Sequence, residues 1–377
     1  MSLNNRKPSV FTTAAFLYAG LTSFTKQAFE RAAKAFDVKA TQKKLDGQVF
    51  LVTGANSGIG KATTRDLLER GGTVHMACRS PDKAFRAREE LLKDTGADPS
   101  KCLVHILDLS SVRQVKAFAR HFARGVCGGR LDCLINNAGC MVHKREINDE
   151  GNEINFATNT LGTFVLTEEL LPVLAKPDRQ LTPSRVVTVS SGGAYNQKLD
   201  VDDFQTKSGF DDGSYIYAQN KRQQIALTEA WARKQASQQS AGNSEVKKAR
   251  PVSFQVMHPG WVDTPAVRNS LPDFHRRMKG RLRTEEQGAD TVIWLATAEE
   301  ALREDPGGFY LDRKAQPKFL WGTFTSNTEK ESDALFNSLK TMSSSIEPSA
   351  EHSNKYGYMQ SAESLKNVAT PVIQTKR

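Results

Sequence analysis

Tyr217 and Lys221 stand four residues apart in YAQNK, 26 residues after the Ser190-Ser191 pair. On a helix this spacing stacks phenol and ammonium on one face. A phenol titrates near ~10, and a neighbouring fixed cation favours the phenolate. Bringing that pKa to near 7 asks for roughly 4 kcal/mol. A tyrosine held this way exchanges a proton near neutral pH, which carbonyl–alcohol interconversion requires. Tyr310 and Lys314 repeat the spacing, so the spacing alone does not decide. That second pair falls on a strand candidate and has no serine pair before it.

A second chemical feature lies upstream. The run Val49–Thr53 leads directly into Gly54-Ala55-Asn56-Ser57-Gly58-Ile59-Gly60, followed by a helical pattern. Glycines at 54, 58 and 60 let the backbone turn tightly and approach a pyrophosphate, which then meets the helix N-terminus; Asn56, Ser57 and Ile59 belong to the same turn. No Gly-Lys-Ser/Thr ending follows, which excludes an ATP-type phosphate loop. At the end of the next strand, Cys78-Arg79-Ser80 offers no carboxylate to a ribose 2′-OH, whereas Arg79 suits a 2′-phosphate. NADP(H) is therefore expected over NAD(H). Asp108, followed by Leu109, either accepts from an adenine amino group or caps the next helix. The seven histidines show no metal-ligand spacing, so no metal is expected. The five cysteines (78, 102, 127, 133, 140) form no C-x-x-C pair, which favours a reducing compartment, and 78, 102 and 133 read as buried thiols.

The elements that must position these groups alternate. Apolar runs at 49–53, 73–78, 103–107, 131–136, 185–189 and 252–257 read as strands buried on both faces. Helical patterns at about 60–70, 82–94, 111–124, 150–175 and 214–236 separate them, and 309–311 adds a short last strand. This order predicts an α/β fold, a doubly wound parallel sheet of Rossmann type. The expected division is an N-terminal amphipathic extension (1–45), a dinucleotide-binding domain (46–325) and a polar, disordered tail (326–377). Residues 1–47 carry eight Lys/Arg against three acids, half of the chain's net +10. That concentration argues against a nucleic-acid binder. Residues 9–37 read as a helix lying on a membrane; an organelle-import segment and a helix docked on its own domain are the alternatives.

The glycine turn, Asp108, Asn136-Asn137-Ala138-Gly139, Asn159, Ser190-Ser191, Tyr217-x-x-x-Lys221 and Pro259-Gly260 occur in the order that resembles the short-chain dehydrogenase/reductase family. The likeness spans about residues 46–315, and VFLVTGANSGIGKAT, LINNAGCMV, VTVSSGG, YAQNKRQQ and MHPGWVDTP point to one branch of it. The resemblance implies a tetrad of Asn159, Ser191, Tyr217 and Lys221. Tyr217 would transfer the proton, Lys221 would lower its pKa and bind the nicotinamide ribose, Ser191 would orient the substrate oxygen, and Asn159 would hold a water. It also implies that Asn137, Gly139, Pro259, Gly260, Val262 and Thr264 lie against the cofactor. The interval Asn196–Ser214 is an insertion relative to compact members. The basic segment between Thr264 and Glu285 matches the family's mobile substrate flap.

The expected activity is hydride transfer between NADP(H) and a lipophilic carbonyl or alcohol, by a cytoplasmic, peripherally membrane-associated enzyme. A soluble reductase of small carbonyls is one rival. A non-catalytic NADP(H) sensor or scaffold is the other, and an intact tetrad argues against it. The resemblance leaves a homodimer open.

Overall fold

The β-branched runs assemble as their burial on both faces requires. In the computed structural model, which describes residues 8–125, 129–176, 182–207, 212–240 and 251–348, the strands are β1 (Val49–Thr53), β2 (Thr73–Cys78), β3 (Cys102–Ile106), β4 (Cys133–Asn136), β5 (Ser184–Val189), β6 (Val252–Met257), β7 (Phe309–Leu311) and β8 (Lys314–Gln316). They form one sheet in the order β3-β2-β1-β4-β5-β6-β7-β8. All neighbours are parallel except β7 and β8. The order reverses at β1, which pairs with both β2 and β4. A crevice therefore opens beyond the carboxyl ends of β1 and β4, where ligands of such sheets sit.

Helices cover both faces. On one side α3 (Gly58–Glu69), α4 (Pro81–Thr95) and α11 (Glu285–Thr297) bury Leu67, Phe85, Leu91 and Val292 against the sheet. On the other, α5 (Val112–Gly125), α7 (Thr163–Leu174) and α8 (Gly213–Ser240) contribute Phe118, Phe164 and Trp231. Before α7 the helix expected over 150–175 is broken into α6 (Ile154–Phe156) and a wide turn over Ala157–Gly162. Short helices α9 (Pro265–Ser270) and α10 (Pro272–Arg277) form the basic segment.

Both ends depart from expectation. The tail does not begin at 326: α12 (Glu329–Ser344) is a helix with a capping box between Thr328 and Glu331. It buries Leu335, Phe336 and Leu339, and the Phe336 ring meets Phe164 edge-on at 5.1 Å. One apolar stripe in a polar stretch suffices to dock it. The domain thus runs through α12; residues 349–377 lie outside the described residues. At the other end, residues 9–37 are not one helix. α1 (Val10–Ala19) runs into a wide turn at Gly20–Phe24, and Thr25 caps α2 (Lys26–Ala33) by accepting from the Ala28 amide at 3.3 Å. The segment is docked on its own domain through Phe24, while the outer side of α1 is exposed. Among the described residues no helix is long and apolar enough to cross a membrane.

Candidate active site

The glycine turn fits a dinucleotide. Gly54 and Gly58 have φ of 65° and 57°, and a Cβ on Gly60 would lie 2.3 Å from the Gly54 carbonyl oxygen. The turn is braced from below. Asn137 donates its side-chain amide to the Thr53 carbonyl at 2.8 Å, and the Asn137 and Ala138 amides donate to the Thr53 hydroxyl at 3.0 and 2.9 Å. The Cys78 thiol accepts from the Ala55 and Asn56 amides and is pushed by burial to about 12, an inert thiol. Ser57 is exposed at the mouth, with Asn56 and Ile59 half-buried. On the far side, Thr264 packs against Gly58, and Val262 is buried beneath Gly288 of α11. Gly260, at φ 76°, closes the Pro259-Gly260 turn, where any Cβ would strike Arg283.

Arg79 is exposed at the end of β2 and makes no hydrogen bond or ion pair among the described residues. Asp108 folds onto its own loop, accepting from the Ser110 amide and hydroxyl at 2.9 and 2.8 Å. It does not cap α5. Ser111 does so, accepting from the Gln114 amide at 3.3 Å, and Glu150 reaches across 38 residues to accept from the Val112 amide at 2.7 Å. Leu109 is buried, its carbonyl against Gly162.

The chemical groups gather at the carboxyl end of β5. Tyr217 is half-buried on α8 and faces the Ser191 hydroxyl, which also accepts from the Gly193 amide at 3.1 Å. Ser190 and Ser191 separate cleanly: the Ser190 hydroxyl donates to the Lys221 carbonyl at 2.8 Å and is buried, so Ser191 alone meets Tyr217. The Lys221 ammonium lies 5.3 Å from the centre of the Tyr217 ring and donates to the Val189 carbonyl (2.9 Å) and to the Gln224 side chain (3.1 Å). Gln224 in turn donates to the Asn159 carbonyl at 2.7 Å. The Asn159 side chain sits in the wide turn before α7. It accepts from the Cys140 amide and donates to the Cys140 carbonyl, both at 2.8 Å, pinning the loop that carries Gly139. A Cβ on Gly139 would lie 3.3 Å from Asn159 and 3.5 Å from Lys221, so the missing side chain leaves the floor open.

The electrostatics differ from the sequence expectation. Burial pushes the Tyr217 phenol up to about 12, opposed by the Ser191 hydroxyl and assisted by the Cys140 thiol. Burial also lowers Lys221 to about 7. Withdrawal from water outweighs the ammonium's pull, because Lys221 lies under the ring and directs its protons to Val189 and Gln224. Lys221 therefore does not bring the phenol toward neutrality. Cys140 is itself raised to about 11 by burial.

Tyr310 and Lys314 separate onto the antiparallel strands β7 and β8, with Tyr310 fully buried and donating to the Asp305 carbonyl. They are not a second site. The insertion is structural where described. Asp200 accepts from the Asp202 and Asp203 amides, and Gln205 accepts from the Glu153 amide; residues 208–211 lie outside the described residues. Cys127 also lies outside them, while Cys78, Cys102 and Cys133 are buried. Among the described residues no group of three or more His, Cys, Asp or Glu is placed to hold a metal.

The family model for short chain dehydrogenases matches residues 48–200. Dehydrogenase/reductase SDR family member 12 of Bos taurus is 45% identical over 334 residues, covering 88% of this chain and 98% of the relative. This protein belongs to the short-chain dehydrogenase/reductase family. It is an oxidoreductase, and the relative is the branch to which its finer motifs point. Retinol dehydrogenase 12 of Homo sapiens is 33% identical, covering 79% of this chain and 86% of the relative. The solved Pseudomonas aeruginosa RhlG/NADP active-site complex shares the fold, with a TM-score of 0.54 and 23% identity over 71% of this chain and 94% of that one.

Three contributors escaped the reading of the sequence. Gln224 stands three residues after Lys221 in YAQNKRQQ, a helical spacing that places it beside the ammonium. Arg283 is buried among the basic residues of the flap. It pairs with Asp312 and donates to the Ser23 and Phe24 carbonyls at 2.8 and 3.0 Å. Phe24 is 3% exposed and lies on Gly192, Tyr195 and His258, directly behind Ser191 and the Pro259-Gly260 turn. Nothing local in the sequence marks the contacts between Phe24, Arg283 and the 192 and 258 regions, because those partners are more than 160 residues from the N-terminal segment.

Proposed function

We propose that this dehydrogenase interconverts a lipophilic carbonyl and its alcohol with NADP(H), with Tyr217 as the proton-transferring acid and base. The observation that carries the reading is the convergence of the Ser191 hydroxyl, the Tyr217 phenol and the Lys221–Gln224–Asn159 chain beside an open glycine floor. NADP(H), when bound, supplies or accepts the hydride. Gly54, Asn56, Ser57, Gly58, Ile59 and Gly60 would hold its pyrophosphate, and Arg79 its 2′-phosphate. Asp108 and Leu109 would border the adenine. Asn137, Gly139, Pro259, Gly260, Val262 and Thr264 would line the nicotinamide half.

With its phenol raised to about 12, Tyr217 stands protonated at neutral pH, the form that gives a proton to a carbonyl oxygen. Ser191 orients that oxygen. Lys221 is poised near neutrality, and through Gln224 it connects to Asn159. The retinol dehydrogenase relatives and the exposed apolar side of α1 support a lipophilic substrate and attachment of residues 9–37 to a membrane surface.

Tyr217→Phe tests the assignment. The variant retains NADPH binding by fluorescence and loses turnover of an accepted aldehyde or ketone by about 10²–10⁴-fold. Turnover like that of the wild type would remove Tyr217 from the chemistry.

A further inference from the structure

Large apolar side chains are exposed at ten positions among the described residues, and eight of the ten fall on two short segments. One is α1 with the turn after it, including Val10 (89% exposed) and Tyr18 (73%). The other is the loop after β8, with Trp321 (92%) and Phe324 (88%). Some 300 residues apart in sequence, the two segments touch. The Phe11 ring lies against Gly322, and Leu320 packs in the same cluster as Phe16 and Ala19.

The loop is held rigidly with its tips outward. Arg222, buried on α8, donates to the Lys318 carbonyl and the Asn327 side chain. Tyr195 donates to the Pro317 carbonyl at 2.8 Å, and Thr323 to the Leu320 carbonyl at 2.6 Å. Phe324 adopts φ 55°, a region bulky residues rarely enter, with its ring exposed. A core seeking to hide aromatic surface would not be built this way.

Charge identifies the occupant. Residues 8–29 and 313–328 contain no Asp or Glu, and neither does 274–284, which carries five arginines and lysines. The last segment borders the patch: Phe274 meets Trp261 at 5.2 Å, Trp261 meets Phe16 at 6.4 Å, and the Lys26 amide donates to the Arg281 carbonyl. Arg277, Lys279 and Arg281 are exposed there. Arg276 is paired with Asp273, Arg283 with Asp312, Lys26 with Glu30 and Lys318 with Glu229, so Arg277, Lys279 and Arg281 set the charge of the face. Apolar and aromatic tips beside these three cations suit the boundary between headgroups and acyl chains of an anionic leaflet. A second copy laid on this face would bring two sets of like charges together.

We infer that the loop Pro317–Phe324 and the outer side of α1 form a single bilayer-docking face, with Trp321 and Phe324 entering the lipid and the flap cations resting on anionic headgroups. This rests on the membrane attachment proposed for residues 9–37, and adds to it a second, folded element. The docked segment also carries Phe24 beneath the site, so the catalytic crevice is held in a fixed relation to the lipid surface.

Full-length protein is mixed with vesicles of phosphatidylcholine and phosphatidylserine carrying brominated acyl chains, which quench tryptophan on contact. Trp231 and Trp294 are buried, and Trp261 is half-buried at the edge of the face, so the share of quenching lost in Trp321→Ser is what reports on Trp321. The expected result is quenching of the wild type that Trp321→Ser largely abolishes. Trp321→Ser/Phe324→Ser should lower partitioning about tenfold, with NADPH affinity and melting temperature unchanged. Vesicles of phosphatidylcholine alone should bind more weakly. If the wild type binds but is not quenched, and the double variant binds equally well, the loop has no part in docking while the attachment of residues 9–37 stands. If neither protein binds either vesicle, both ideas fall. A concentration-dependent dimer that the double variant dissolves would assign the face to self-association and overturn the proposal.

Discussion

Lys221 should work against the stability of the cofactor-free enzyme, and pH should reveal it. Lys221 is 2% exposed, and burial brings its pKa from 10.5 to about 7. The unfolded chain therefore binds more protons than the folded one between about pH 7 and 10.5. A folded pKa below the unfolded one opposes folding fully below the folded value, and rising pH relieves the penalty. Lys221→Met keeps much of the volume and removes the titration. The hydrogen bonds it forfeits at Val189 and Gln224 are lost at every pH, so they cancel in a comparison across pH. Stopping at about pH 9 keeps Tyr217, raised to about 12, out of the window. Linkage with these values predicts that wild type gains about 2.5 kcal/mol relative to Lys221→Met between about pH 6.5 and 9. Urea unfolding of both proteins at the two pH values, with equal m-values, measures it. A gap that does not move with pH would mean that Lys221 remains charged in the folded chain, and the desolvation argument would be wrong.

Arg79→Gln removes the cation offered to a 2′-phosphate; the preference for NADPH over NADH in kcat/KM should fall by about 10–100-fold, and an unchanged ratio rejects the role. Gln224→Leu leaves the buried Asn159 carbonyl without its donor and frees the Lys221 ammonium. It should cost about 1–3 kcal/mol in urea unfolding and lower kcat more than it raises the KM for NADPH. Phe24→Ala should cost about 3–5 kcal/mol by cavity formation and reduce kcat, because Gly192 and the 260 turn lose their backing. A variant destabilised but equal in kcat would make Phe24 a packing residue only.

What could be read from the sequence divides by the range of the interaction. The strands β1, β2, β6 and β7 fall where their apolar runs begin and end, because burial on both faces leaves a continuous signature. The glycine turn and the Tyr217–Lys221 pair are local patterns whose geometry follows from spacing. The choice of Ser191 over Ser190 came only from resemblance, and the reason for it is visible in the fold: Ser190 is committed to the Lys221 carbonyl. Proximity predicted a depressed Tyr217, but proximity carries no information about how much water the fold removes, and desolvation decides the direction. Asp108 offered two roles, but Ser111 and the distant Glu150 share the cap. Helix α12 was concealed by a polar composition in which a few apolar positions do the docking.

The N-terminal segment poses a different problem, since its sequence allowed a membrane helix and a docked helix as rivals. The fold makes them compatible by breaking the segment at Gly20–Thr25. Gly20 has no side chain because a Cβ there would lie 2.1 Å from Trp261, and that close approach lets Phe24 descend onto Gly192 and His258. Arg283 then fixes the break by holding the Ser23 and Phe24 carbonyls while neutralised by Asp312. A buried arginine without Asp312 would be costly, so the pair, the two carbonyls and the Pro259-Gly260 turn form one interlocked unit. Removing the first 24 residues would therefore not simply solubilise an otherwise intact enzyme. It would leave Arg283 without two acceptors and expose Trp261, His258 and Gly192 beside Ser191, so turnover should fall sharply even though the proposed loop contact of Trp321 and Phe324 with vesicles is kept.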